Sequence, residues 1–388
     1  MTALLPNVDP DGLLEYSVVF TDRALNHMSQ VFQGVMRDIS KTLRRVYNAE
    51  GAGEGVALVP GGGTYAMEAV ARQLAHGKKV LVIRNGWFSY RWTQIFEAGS
   101  IPAGSIVLKA SQTGSEPGAR QQPFRPVPVQ EAVAAIEAER PDLVFAPHVE
   151  TASGIMLPDE YMKTIADAVH KVGGLFVLDC IASGAVWVDM KAIGVDVLIS
   201  APQKGWSASP CSGIVMLSEA AKGQVKDSAS SSFGCDLKKW LEIMEAYEKG
   251  GHAYHATMPT DALRGFRDAM IETEARGFDK VRTAQIELGA QVRKLLAQRG
   301  FASVAAYGFA APSVVVCYTD DPGIKSGAKF VAVGLQTAAG VPLMCDEPSD
   351  FQTFRLGLFG LDKLADIDRT VGNLERGLDQ VLGTANVR

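Results

Sequence analysis

Lys204 ends the stretch Leu198-Ile199-Ser200-Ala201-Pro202-Gln203-Lys204, and 25 positions earlier Asp179 ends the apolar run Gly174-Leu175-Phe176-Val177-Leu178-Asp179. An amine can condense with an aldehyde to form a Schiff base, and a carboxylate can keep a pyridine nitrogen protonated and electron-withdrawing. A carboxylate at one strand end and a lysine just past a later one make the two-point grip that a pyridoxal phosphate ring needs. Each residue alone has a plainer use: an aspartate at a strand end commonly caps a helix, and a lysine after a strand is usually solvated.

Other strand ends carry groups of the same kind. Gly61-Gly62-Gly63-Thr64-Tyr65-Ala66 follows one expected strand and opens an expected helix. Glycines there let the backbone approach an anion, the helix start supplies unpaired N–H groups, and Thr64 adds a hydroxyl. The Lys-Ser/Thr ending of a nucleotide P-loop is missing, and a glycine turn that only connects strand to helix is the alternative. Gly51-Ala52-Gly53-Glu54-Gly55 imitates a dinucleotide fingerprint but precedes its strand, so it reads as a loop. Asn85-Gly86-Trp87-Phe88-Ser89-Tyr90-Arg91 follows another strand and reads as an aromatic loop able to stack on a planar ligand, although aromatics at strand ends are most often core. His148-Val149-Glu150-Thr151-Ala152-Ser153-Gly154 follows a further strand, where Thr151 and Ser153 offer hydroxyls to a ring oxygen or a phosphate.

These residues need a scaffold that gathers strand ends. Short apolar, β-branched runs at 55–60, 79–84, 105–108, 142–147, 175–179, 196–200 and 212–217 suit strands buried on both faces. Amphipathic spacing predicts helices over 64–75, 129–139 and 159–172 between them, so the class is α/β with a mostly parallel sheet. Beyond about residue 260 the pattern changes to long charged helices at 261–276 and 278–299, a strand at 313–318, a helix near 328–339 and a final helix at 361–381. That predicts an N-terminal arm at 1–20, a large ligand-binding domain at 21–276 and a smaller α+β domain at 277–388.

The 388 residues carry 38 Lys+Arg against 43 Asp+Glu, with no basic block suited to a nucleic acid. No apolar run approaches the roughly 18 residues of a spanning helix, so the expectation is a soluble, cytoplasmic protein without a membrane partner. Cys180, Cys211, Cys235, Cys317 and Cys345 are odd in number and far apart, as reduced thiols are. His252 and His255 lack accompanying acidic or cysteine ligands and sit beside Gly250-Gly251, so no metal is expected there.

With these motifs in order, the sequence resembles the class V, fold-type-I pyridoxal phosphate aminotransferases, the group of the alanine–glyoxylate and serine–pyruvate enzymes. The resemblance runs from about Asn48 to the C-terminus. Its anchors are the segments 61–69, 150–154 and 200–204, Asp179, Tyr254-His255-Ala256-Thr257-Met258-Pro259, and Phe354-Arg355-Leu356-Gly357-Leu358-Phe359-Gly360. It implies that Lys204 joins the cofactor and then moves the substrate proton, that Asp179 partners the pyridinium nitrogen, and that Phe88 stacks on the ring. It further implies that Gly62, Gly63, Thr64 and Gln203 contact the phosphate, that Tyr254 and Thr257 reach the phosphate of a neighbouring subunit in a homodimer, and that Arg355 clamps a substrate carboxylate. The implied reaction moves an amino group from a small amino acid to a 2-oxo acid. Two alternatives stay open: a 2-aminoethylphosphonate–pyruvate transaminase, and a lyase or desulfurase on the same scaffold, although Cys345, shortly before Arg355, has a neighbourhood unlike that of the desulfurase cysteine. The Gly-Pro-Gly-Pro-like start common in the family is replaced here by Pro6-Asn7-Val8-Asp9-Pro10.

Overall fold

The structure is a computed structural model, and it describes residues 5–6, 8–114 and 121–383. Seven strands form the central sheet: β1 (Gly55–Pro60), β2 (Lys79–Arg84), β3 (Gly104–Lys109), β4 (Leu143–Pro147), β5 (Leu175–Asp179), β6 (Val197–Ser200) and β7 (Ser212–Leu217). Their order across the sheet is β1-β7-β6-β5-β4-β2-β3. Only β7 runs against the rest, pairing antiparallel with both β1 and β6, whereas the β6-β5, β5-β4, β4-β2 and β2-β3 pairings are parallel. The apolar runs lie here because a central parallel strand is covered on both faces: every residue of β4, β5, β6 and β7 is buried.

Helices cover the sheet. Those that matter for the site are α1 (Gln30–Val46), α2 (Gly63–Leu74) and α3 (Trp87–Gly99), of which α2 follows β1 and α3 follows β2 after turns of two residues. The segment from Trp87 onward is therefore helix, where the sequence reads as an aromatic loop. Two later elements also differ from expectation. The helix expected near 328–339 stops at Ala332, because Gly334 adopts a left-handed φ of +83°, and Ala338–Ala339 then joins a sheet edge. The helix expected over 361–381 is broken at Asp366, whose extended backbone and side chain cap a new helix by accepting from the Arg369 N–H.

A three-stranded antiparallel sheet carries β8 (Val314–Tyr318), β9 (Ala338–Ala339) and β10 (Thr353–Gly357), with β10 in the middle. One apolar core spans the large sheet from Leu25 to Met270, and a second is built almost wholly from Val281 to Leu378. A third cluster, with Ala152, Ile155, Ala182, Val314 and Val316 among its members, lies where the two meet. Among the described residues no helix is long and apolar enough to cross a membrane, and no cluster of metal-binding side chains forms. The segment around His252 and His255 is loop, and the His252 ring packs edge-on against His27.

Candidate active site

Parallel strands send their carboxyl ends to one edge of a sheet, and an open α/β sheet binds ligands outside that edge. Register places Asp179, the last residue of β5, between Pro147 of β4 and Ile199 of β6. Lys204 follows four residues after the end of β6, and the turn after β1 opens α2 beside them. A cavity with about 610 Å³ of free space, mouth included, is lined by Gly63, Thr64, Phe88, Thr151, Asp179, Gln203 and Lys204, together with Met67, Arg91, Val149 and Ile181. Seven residues chosen from the sequence thus share one enclosure.

The turn before α2 is shaped by glycine. Gly61 has φ +119°, which disfavours any side chain, and a Cβ at Gly63 would fall 2.4 Å from the Ile181 side chain. Gly62 is the residue before the first helical position, and a Cβ there would meet nothing within 4 Å, so the backbone is open to an approaching group. Gln203 lines the cavity, and because its buried Oε1 has no partner, the amide can turn over at no cost to that atom and present its NH2 to an anion.

Asp179 is 7 % exposed, and its Oδ1 accepts from the Ile181 N–H at 2.9 Å. Burial pushes its carboxyl up to about 7; the Ile181 N–H opposes that, the Glu150 charge adds to it, and Arg91 and Lys204 pull the other way. A buried carboxyl in this state asks for a cation on its open side, which a protonated ring nitrogen supplies. Lys204 is pulled below the ordinary lysine range, first by burial and then by the charge of Arg355, with Asp179 opposing. Its Nζ stands 5.1 Å from the centre of the Phe359 ring. A lysine shifted this way gives up its proton more readily, as a nucleophile or base must.

Phe88 is the second residue of α3, and a buried carboxylate holds that helix start in place. Glu150 is fully buried; its two oxygens accept from the N–H groups of Phe88, Ser89 and Ala152 and from the Ser89 hydroxyl, at 2.6–3.2 Å. Gly86 is required there, since a Cβ would lie 2.7 Å from the Glu150 side chain. Arg355 comes from β10 of the small sheet. Its Cζ lies 5.5 Å from the Phe88 ring centre, and its Nε donates to the Ala339 carbonyl at 2.8 Å. The acidic neighbours are occupied elsewhere: Asp346 pairs with Lys109, and Glu347 accepts from three backbone N–H groups of its own loop. Tyr254 and Thr257 do not line this cavity. Both are exposed, with the Tyr254 hydroxyl 3.2 Å from the Thr257 hydroxyl.

The amine, the buried carboxyl and the open glycine turn with its neighbouring amide fit the aldehyde, the ring nitrogen and the phosphate of pyridoxal phosphate in turn. The family model of the class V aminotransferases matches residues 12–321. The chain belongs to that family. It is a pyridoxal-phosphate-dependent aminotransferase of fold type I. The 2-aminoethylphosphonate–pyruvate transaminase of Syntrophobacter fumaroxidans is 29% identical over 338 residues, covering 85% of this chain and 84% of that protein. The L-aspartate–glyoxylate aminotransferase of Paracoccus denitrificans is 25% identical over 270 residues, 69% of this chain and 64% of that protein. Among solved structures, the alanine–glyoxylate aminotransferase of Nostoc superposes with a TM-score of 0.76 at 21% identity, over 92% of this chain and 89% of that one. In this class V aminotransferase, sequence reasoning missed Arg91, Glu150 and Phe359 as parts of the site. Arg91 sits three residues after Phe88, a helical spacing that would have signalled it had the segment been read as helix.

Proposed function

We propose that the enzyme moves an amino group from a small amino acid, such as alanine or serine, to a 2-oxo acid such as glyoxylate or pyruvate. The observation that carries the reading is that the Lys204 amine and the Asp179 carboxyl open into one cavity with the Thr64 and Gln203 cradle. Bound there, pyridoxal phosphate supplies an electrophilic aldehyde and an electron-withdrawing ring that acidifies the substrate Cα–H. Lys204 would hold the aldehyde through its amine and, in its neutral form, would act as the base that accepts the substrate Cα proton and as the acid that hands it on. Asp179 would hold the ring nitrogen in its protonated form, and Phe88 would offer its face to the ring. Gly62, Gly63, Thr64 and Gln203 would hold the phosphate, and Thr151 would offer its hydroxyl to a ring oxygen or to the phosphate. Arg355 holds the substrate carboxylate through a bidentate pair.

Tyr254 and Thr257 are proposed to serve the cofactor phosphate of a second copy, which makes the enzyme a homodimer. Their exposure away from their own cavity supports this, as do the exposed side chains of Tyr16, Val18 and Phe233. Sedimentation of the loaded enzyme tests it: a dimer is expected, and a monomer with full cofactor occupancy rules it out. The extents of the two main cores support a division into an arm at 1–20, a large domain at 21–276 and a small domain at 277–388. The five cysteines, all unpaired, support a cytoplasmic setting.

A second donor class is favoured by one observation, the 29% identity to a 2-aminoethylphosphonate–pyruvate transaminase over most of both chains. Arg355 is then the grip for the phosphonate. A desulfurase is disfavoured, because Cys345 is buried against the Arg84 carbonyl and burial pushes its thiol up to about 12, far from a mobile nucleophile. The test is a spectral screen of the loaded enzyme with amino acids and aminophosphonates one at a time. Conversion of the cofactor to its amine form by a small amino acid, reversed by glyoxylate or pyruvate, is the expected result. Conversion by 2-aminoethylphosphonate alone selects the second reading.

A further inference from the structure

Arg91 is a cavity-lining cation to which neither the motifs nor the family resemblance assigns a role. It lies on α3 one turn beyond Phe88, with its Cζ 5.0 Å from the Phe88 ring centre, and its Nη1 donates to Thr64 Oγ1 at 2.9 Å. The cradle of Gly62, Gly63, Thr64 and Gln203 offers backbone N–H groups, one hydroxyl and one amide, but no full charge. A phosphate monoester brings about −1.5 to −2 charges at neutral pH. The other two cations of the site are committed: Lys204 belongs to the aldehyde, and Arg355 is held at the Ala339 carbonyl on the far sheet.

We infer that Arg91 is the fixed cation of the phosphate cradle, countering the phosphate charge directly and orienting the Thr64 hydroxyl toward it. The inference rests on the cofactor reading above. The orientation follows from hydroxyl chemistry. A hydroxyl has one hydrogen and two acceptor sites, so with the guanidinium donating into one lone pair, the single Thr64 hydrogen points away from Arg91. The anchoring also has a geometric cause, since α3 is pinned by Glu150 and α2 by the Gly61 turn, which sets the two side chains at a constant separation. An arginine suits the place because it keeps its charge through the catalytic cycle, whereas Lys204 changes its state. The same arginine could instead grip a second anion on the substrate; its bond to Thr64 at the helix start favours the phosphate.

The experiment uses cofactor-free full-length enzyme, wild type against Arg91→Gln and Arg91→Lys, titrated separately with pyridoxal phosphate and with pyridoxal, which lacks the phosphate. Thermal protection by inorganic phosphate is measured on the same samples. Arg91→Gln is expected to weaken pyridoxal phosphate on the order of 10- to 100-fold, the loss of one charge-assisted hydrogen bond, while leaving pyridoxal binding as it was. Phosphate protection is expected to disappear in Arg91→Gln and to return in part in Arg91→Lys. Equal weakening of both aldehydes would make Arg91 a packing residue and overturn the inference. Unchanged cofactor affinity with a raised KM for a dianionic substrate would overturn it too, placing the arginine at the substrate. Failure of the wild type to capture pyridoxal phosphate on Lys204 marks a different fault, in the cofactor reading itself.

Discussion

Replacing Asp179 by asparagine in the cofactor-free enzyme should make its stability less dependent on pH, in a direction fixed by proton count. The folded carboxyl titrates at about 7 and an ordinary aspartate at 3.8, mainly because burial disfavours the charge. Between those values the unfolded chain has released a proton that the folded chain retains, so wild-type stability falls as pH rises from about 4 through about 7. At about 1.4 kcal/mol per tenfold change in the proton equilibrium, the gap corresponds to a ceiling of about 4 kcal/mol. The amide of Asp179→Asn has nearly the shape of a neutral aspartic acid and can still accept from the Ile181 N–H. The two proteins should therefore match near pH 4, and the variant should gain on the wild type up to pH 8. Urea-unfolding free energies of both cofactor-free proteins at unit intervals of pH provide the measurement. A difference that stays flat over that range would refute the burial argument. With pyridoxal phosphate added the order should reverse, because the wild-type carboxylate then has a cation to hold.

Two further substitutions test other parts of the site. Arg355→Ala should lower kcat/KM for carboxylate substrates by the equivalent of about 2–5 kcal/mol while cofactor affinity stays the same; an unchanged KM would remove Arg355 from the carboxylate grip. Glu150→Gln turns an amide NH2 toward backbone N–H groups and should cost about 2–3 kcal/mol in urea unfolding, whereas a change within about 0.5 kcal/mol would show that the α3 start does not depend on the carboxylate.

Strands and catalytic pair were legible in the sequence for the same reason. A strand buried on both faces must be an unbroken apolar run, so Leu175 to Asp179 announces both the strand and the residue that ends it. Helix limits were less legible where one residue decides them. Gly334 and Asp366 are single positions whose backbone geometry stops a helix, and amphipathic spacing continues past both. The start of α3 was hidden because Trp87 and Phe88 give no amphipathic pattern, and what makes it a helix is Glu150, distant in sequence, accepting its first N–H groups. Arg91 was invisible for a related reason: its partner Thr64 lies 27 residues away and is met only in space. The motif at 148–154 directed attention to the hydroxyls of Thr151 and Ser153. Thr151 reaches the cavity, while Ser153 is fully buried and accepts from the Ile155 N–H instead.

The central claim is that Lys204 is the amine that holds the cofactor. Borohydride reduction of the enzyme loaded with pyridoxal phosphate, followed by peptide mass mapping, tests it most directly. The account predicts a single reduced cofactor adduct on the peptide containing Lys204, absent when an amino donor has first converted the cofactor and absent in Lys204→Ala. An adduct on another lysine, or one that persists in Lys204→Ala, would contradict it.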